Sequence, residues 1–208
     1  NDTAAAIALL LFNGSRGMAK EVLRTLRTKP GLIVCCAALI GGPISQSAYF
    51  LGSAMAGPAY ALTITALYPI IGCILSSVFL KQAINSRMWF GIFLSVLGAI
   101  IVSYAPPEGD STNFTLGLLC AGIAALGWGT EIVLATFGMS MVDPDIAITL
   151  REMTSGLVLS LIVLPVVGGW SVVHSVVQIP SALSFLVAAG AVAGFSYLMW
   201  YSANNKVG

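Results

Sequence analysis

Charge is what this sequence lacks most. Only 8% of its 208 residues are Asp, Glu, Lys or Arg, while 58% are hydrophobic, and the mean hydropathy is +0.95. A soluble domain carries about 25% charged residues, so there is too little polar side chain here to coat a globule in water. Lipid is expected to cover most of the chain. Histidine is nearly absent. The single one, His174, falls in a connection between apolar runs, so no Ser–His pair or histidine-based metal cluster can be assembled. No glycine loop ending in Lys-Ser/Thr is present, so ATP drive would need another subunit. The four cysteines, Cys35, Cys36, Cys73 and Cys120, lie in apolar stretches at no metal-ligand spacing. They read as small packing residues. These absences leave no catalytic residue, metal or cofactor to name, and they argue against an enzyme. A net charge of +1 gives no reason to expect nucleic acid as a partner.

What is present is a series of long apolar runs, at about 31–53, 57–79, 88–104, 116–140, 145–168 and 182–203. Each is near the length of about 20 residues that a bilayer demands. Inside lipid every backbone N–H and C=O must find a partner within its own segment, so the runs are expected to be helices. The third is short and draws on its flanks. A further apolar run, Thr3 to Phe12, would be about 15 Å long as a helix, half a hydrocarbon core. It has no basic flank or cleavage site and reads as the tail of a span that starts upstream. The expected fold is therefore an all-α polytopic membrane protein with six complete spans and one partial.

Lysine and arginine give an orientation. Arg16, Lys20, Arg24, Arg27 and Lys29 fall in the 13–30 connection, Lys81 and Arg87 in 80–87, and Lys206 in the tail. Counting crossings puts all of them on one side. The opposite connections, 54–56, 105–115 and 169–181, hold none. The positive-inside rule makes the basic connections 13–30 and 80–87 cytoplasmic. The segment from Arg16 to Lys29 carries Met18, Val22 and Leu26 at helical spacing, yet reads best as a solvated loop, with a helix on the membrane surface as the alternative. The triplet at Asn113 lies on the outer side and reads as a chance match for glycosylation.

A weak repeat runs through the chain. Gly41, Ser47, Ser53 and Ala54 find counterparts 149 positions on, at Gly190, Ser196, Ser202 and Ala203. An odd number of crossings separates the copies, so they run in opposite directions. Inverted repeats are a common device of secondary transporters.

Few residues within the spans can carry chemistry. An ionisable group at mid-bilayer costs about 2.5–3.5 kcal/mol on insertion scales, and persists where it is paired, wet or useful. Glu131 and Arg151 lie at similar depth, about 13 and 9 Å from the same membrane face by helical rise. Joined by a tight turn, their helices are antiparallel neighbours. An ion pair between them would either pin two helices or serve a substrate or proton site. Glu152 points about 100° away from Arg151 and is expected to reach the interface or pair elsewhere. Gly41-Gly42-Pro43 and Pro69 break two spans near mid-depth, and a proline frees the carbonyl four residues earlier, here those of Leu39 and Thr65. Such breaks mark binding sites in transporters, or are packing kinks. Gln46, Tyr49 and Tyr68 can offer hydrogen bonds beside them. Trp128, three residues before Glu131 on roughly the same helix face, and Tyr197 are aromatic candidates; Trp200 and Tyr201 read more simply as interfacial. Gly91, Ser95, Ala99 and Ser103 form one four-residue stripe of small side chains, and Gly117, Ala121, Ala125 and Gly129 another. Such stripes let helix backbones approach closely.

Two stretches carry a family resemblance. Residues 60–104, YALTITALYPIIGCILSSVFLKQAINSRMWFGIFLSVLGAIIVSY, resemble the end of the first repeat of EamA-type drug/metabolite transporters: a helix with a mid-span proline, a short turn, then a glycine-bearing helix. Residues 116–157 resemble the start of the second repeat, with Ala125-Leu126-Gly127-Trp128 followed later by Arg151. The resemblance implies a ten-helix fold of two inverted five-helix repeats (5+5). On it, residues 1–104 are the end of the first repeat, from partial helix two to helix five; 105–115 an outer connecting loop; and 116–208 the start of the second repeat, helices six to eight. It supports Trp128 and Arg151 as motif positions. The family usually has a glutamate in the turn after its fourth helix, where this chain reads Leu80-Lys81-Gln82-Ala83, so no carboxylate role carries over there.

The implied function is secondary transport of small metabolites, amino acids or drug-like compounds by alternating access, in the cell's inner or plasma membrane. The alternative is a non-transporting membrane scaffold or sensor. The partners expected are a small-molecule substrate, the lipid bilayer and a second copy of the chain, and the depth of Glu131 in its span adds protons as a coupling ion.

Overall fold

A computed structural model of the chain describes residues 2–81, 83–103 and 113–207. Gln82 and most of the outer 105–115 connection lie outside the described residues, as does the end of the span expected at 88–104. The described residues form helices and no strand. We number them α1 (Asp2–Ser15), α2 (Ala19–Thr25), α3 (Lys29–Ala56), α4 (Pro58–Phe79), α5 (Ser86–Ser103), α6 (Phe114–Met139), α7 (Pro144–Val166), α8 (Trp170–Val177) and α9 (Pro180–Val207). By length and composition α3, α4, α6, α7 and the Pro180–Ala203 part of α9 can each cross a membrane. Over its described residues α5 falls among the shorter apolar helices, with α1.

The helix ends follow local chemistry. Gly57 joins α3 to α4 in one residue at φ 95°, a conformation open to glycine and strained for other residues. Pro58 then takes the first position of α4, where a missing N–H costs nothing. Asp143 caps α7: its carboxylate accepts from the backbone N–H of Asp145 at 2.9 Å, and Pro144 follows at the first turn.

One expectation is corrected. Residues 16–29 are more than a solvated loop, because they include α2, whose Val22 is 1% exposed. The 169–181 connection contains α8, and His174 is on it.

Contacts divide the chain into two compact units, Asn1–Leu39 with Leu134–Gly208, and Ile40–Val133. In the first unit α1 packs on α7 and α9, and the Lys29–Leu39 part of α3 packs on α7. Its core holds Leu9, Val22, Val34, Ile146, Ile148, Leu150, Leu198 and Tyr201. Here α1 runs antiparallel to α7. Near one end Asp2 meets Ser155 and Thr3 meets Ser160; near the other, Asn13 Nδ2 donates to Thr149 Oγ1 at 2.7 Å.

The second unit is built on small residues. A Cβ on Gly117 would come within 2.6 Å of the Ala56 backbone nitrogen; one on Gly52 would sit 3.0 Å from the Ala121 nitrogen; one on Gly129 would sit 2.6 Å from Ile71. The stripe 117–121–125–129 is thus a packing face, as its spacing predicts. The stripe on α5 is different: Gly91 and Ser95 are exposed, and a Cβ on Gly91 would meet nothing within 4 Å.

Candidate functional site

In the Ile40–Val133 unit the site is built around the break in α3. Ile40–Ile44 form a π turn, and Gly41, Gly42 and Pro43 within it are buried. Pro43 has no N–H to give, and a wide turn absorbs the defect. Side chains then reach the loosened carbonyls. Ser45 Oγ donates to Ile40 O at 2.6 Å, and Trp128 Nε1 donates to Gly41 O at 2.8 Å. The carbonyl expected to be freed was that of Leu39. The π register moves the side-chain donors one and two residues further along. The second expected break is also present: α4 is interrupted by a turn at Ala66–Leu67, and Pro69 stands in the first turn of the Tyr68–Phe79 half.

Glu131 comes to the same glycine as Trp128. A Cβ on Gly41 would overlap the Glu131 carboxyl group, so glycine is what lets this carboxyl lie against the α3 backbone. Glu131 is buried. Tyr49 and Tyr68 flank the indole, with ring centroids 5.6 and 6.0 Å from that of Trp128, the first tilted and the second edge-on. Four of the seven residues singled out from sequence therefore gather here: Trp128, Glu131, Tyr49 and Tyr68. Gln46 is half-buried just after the break. Ser45 and Gly41 went unrecognised as partners. The signal for Ser45 was its place two residues after the proline; it is fully buried, and a Cβ on Gly127 would overlap its hydroxyl.

The remaining two, Arg151 and Tyr197, belong to the other unit. Arg151 is 5% exposed. Its Nη1 lies 2.5 Å from Glu152 Oε1 and 3.9 Å from Asp2 Oδ2, and its guanidinium carbon is 5.0 Å from the centroid of the Tyr197 ring. Asp2 in turn accepts from Ser155 Oγ at 2.5 Å. Glu152, expected to turn away, is fully buried beside its chain neighbour. Successive Cα–Cβ vectors do diverge by about 100°, but a guanidinium on a long flexible stem can fold back across that angle. Charge balance is the signal: Arg151 is the only cation within the apolar runs of the sequence, and it adjoins an acid. Nothing in the chain order pointed to Asp2.

These arrangements hold the helix break with side-chain donors and present aromatic faces and a carboxylate beside it; in the other unit, acids balance the charge of a buried cation. Residues 3–104 match the EamA-like transporter family. They form an EamA-like transporter domain. This EamA-like domain takes in α1 to α5, and so Gly41, Gln46, Tyr49 and Tyr68; Trp128, Glu131, Arg151 and Tyr197 follow it in the chain. Protein LicB of Haemophilus influenzae is 30% identical over 101 residues. That match covers 49% of this chain and 34% of LicB, so the chain spans about a third of that relative's length. Five helices able to span a bilayer, with an EamA-like domain, make this an integral multi-pass membrane protein.

Proposed function

We propose that the chain is part of a secondary carrier that moves small metabolites, amino acids or drug-like compounds by alternating access, as an exporter or permease. The observation that carries this reading is the Gly41 break. A membrane helix opened at a proline, with an indole holding its carbonyl and a carboxylate against its glycine, is the kind of discontinuous helix on which transporter sites are built. The EamA-like domain supports the same reading. Its fold would be the ten-helix 5+5 inverted repeat, with residues 1–104 from the first repeat and 116–208 from the second, and the basic connections 13–30 and 80–87 cytoplasmic. The groups assigned to the substrate path are Trp128, Glu131, Tyr49, Tyr68 and Gln46, with Arg151 and Tyr197 as a second set. Glu131 would carry the coupling proton, and two copies would associate.

The test is counterflow with the intact protein in proteoliposomes, using pooled labelled amino acids and small metabolites. Selective, saturable exchange that falls in Trp128→Ala establishes a carrier. Absence of exchange across the panel, from protein shown to be folded, moves the reading to a scaffold or sensor. Glu131→Gln tests the proton: if exchange and its pH dependence are unchanged, Glu131 does not carry it.

A further inference from the structure

The basic segment between α1 and α3 has more structure than a charged loop needs. Lys20, Arg24 and Arg27 follow one another at spacings of four and three, so they share one face of α2 and its final turn. Each is exposed. Val22 points the other way and is 1% exposed within the core, where Met18 packs beside it. This anchor fixes the rotation of α2. It leaves Leu23 and Leu26, 61% and 38% exposed, on the flank between the core side and the basic face. Arg16 and Lys29 bracket the segment, and Arg16 is tied to Asp145 at the start of α7. Within Arg16–Lys29 the only acid is Glu21.

Two exposed leucines next to a row of cations, on a short helix between the end of α1 and the start of the candidate span α3, match one environment. That is the boundary where acyl chains meet headgroups. Water alone would not favour the leucines, and a purely apolar contact would not favour the cations. We propose that α2 is an interfacial helix that binds anionic phospholipid headgroups through Lys20, Arg24 and Arg27, with Leu23 and Leu26 entering the upper acyl region. The lipid phosphates neutralise the basic face, and Val22 keeps that face towards them. The assignment is independent of whether the protein transports anything.

The experiment uses the full-length protein in detergent, titrated with phosphatidylglycerol, with phosphatidylcholine and with inorganic phosphate, and reads thermal stability. Phosphatidylglycerol is expected to act at concentrations at least about tenfold below phosphatidylcholine, with the difference shrinking at high salt and lost in the triple variant Lys20→Gln/Arg24→Gln/Arg27→Gln. Equal action of the two lipids, or of inorganic phosphate alone, overturns the proposal, as does a triple variant that keeps the preference. A second readout needs no charge change. Leu23→Trp, reconstituted with lipids brominated high on the acyl chain, is expected to be quenched; an unquenched, water-exposed indole at 23 also overturns it.

Discussion

The indole nitrogen of Trp128 donates to the backbone carbonyl of Gly41 at 2.8 Å across 87 positions of sequence. This bond closes a gap that Pro43 opens, since a π turn in lipid has no water to satisfy its loosened carbonyls. Trp128→Phe keeps most of the ring and removes the donor. It is expected to cost about 1–3 kcal/mol, the range for a buried polar group left without its partner. Trp128→Leu should cost more, because the contacts with Tyr49 and Tyr68 go as well. Unfolding of the purified protein in detergent, compared across the two variants, separates the bond from the rings. Equal stability of Trp128→Phe and wild type would show that Gly41 O finds another donor.

Gly41 and Glu131 occupy each other's space. A methyl group on Gly41 overlaps the Glu131 carboxyl, so Gly41→Ala must drive that side chain off the α3 backbone. Each of Gly41→Ala and Glu131→Ala is expected to destabilise, but the pair together should cost less than the sum, by about 0.5–3 kcal/mol of coupling. A double-mutant cycle on unfolding free energy measures this. Strict additivity would mean that the carboxyl has room to move and that the glycine is there for the π turn alone.

The spans themselves were legible because lipid allows few solutions: 57–79 against Pro58–Phe79, and 116–140 against Phe114–Met139, agree within two residues. Proline chemistry placed both helix breaks. The partners of those breaks were harder to see. Ser45 and Trp128 reach carbonyls one and two positions past the residue that α-helical counting assigns, because the π register is a response to packing. The cost of a charge in a membrane marks Arg151 in the sequence, but helical-wheel geometry hides its partner Glu152, because it fixes the Cβ direction and not the reach of an arginine. Met18, Val22 and Leu26 stand at helical spacing, but three apolar residues among five cations do not reveal a buried face, and only the fold shows Val22 in the core.

Arg151 and Glu152 form a pair almost without solvent, with side-chain exposures of 6% and 0%. Removing one member of a buried pair leaves the other charge stranded, at a cost of about 3–5 kcal/mol. Glu152→Gln is expected to fall below that range, because Asp2 and the face of Tyr197 remain beside the guanidinium. Arg151→Met leaves two acids without their cation and should be the more damaging single change. Replacing both residues, Arg151→Met with Glu152→Leu, should recover part of the loss. Thermal unfolding of the three variants gives the order; a double variant less stable than Arg151→Met would show that Glu152 is held by more than this arginine.

The two small-residue stripes make opposite predictions from one sequence pattern. On α6, Gly117 faces the backbone of Ala56, with the Met55 Cβ 2.8 Å from where its own Cβ would be. Backbone cannot yield as a side-chain tip can, so Gly117→Leu forces α6 away from the end of α3. Overpacking of this kind costs about 1–3 kcal/mol, occasionally more. On α5, a Cβ on Gly91 meets nothing within 4 Å, and the added side chain lies where lipid is as apolar as leucine. Gly91→Leu should therefore leave unfolding unchanged, or raise stability slightly by replacing a residue of poor helix propensity. Both variants would be compared in detergent and again in a bilayer. A loss at Gly91 comparable to that at Gly117, seen only in the bilayer, would show that the α5 stripe is covered there by another helix, and cross-linking from an introduced Ser95→Cys would then identify whether that helix comes from a second copy.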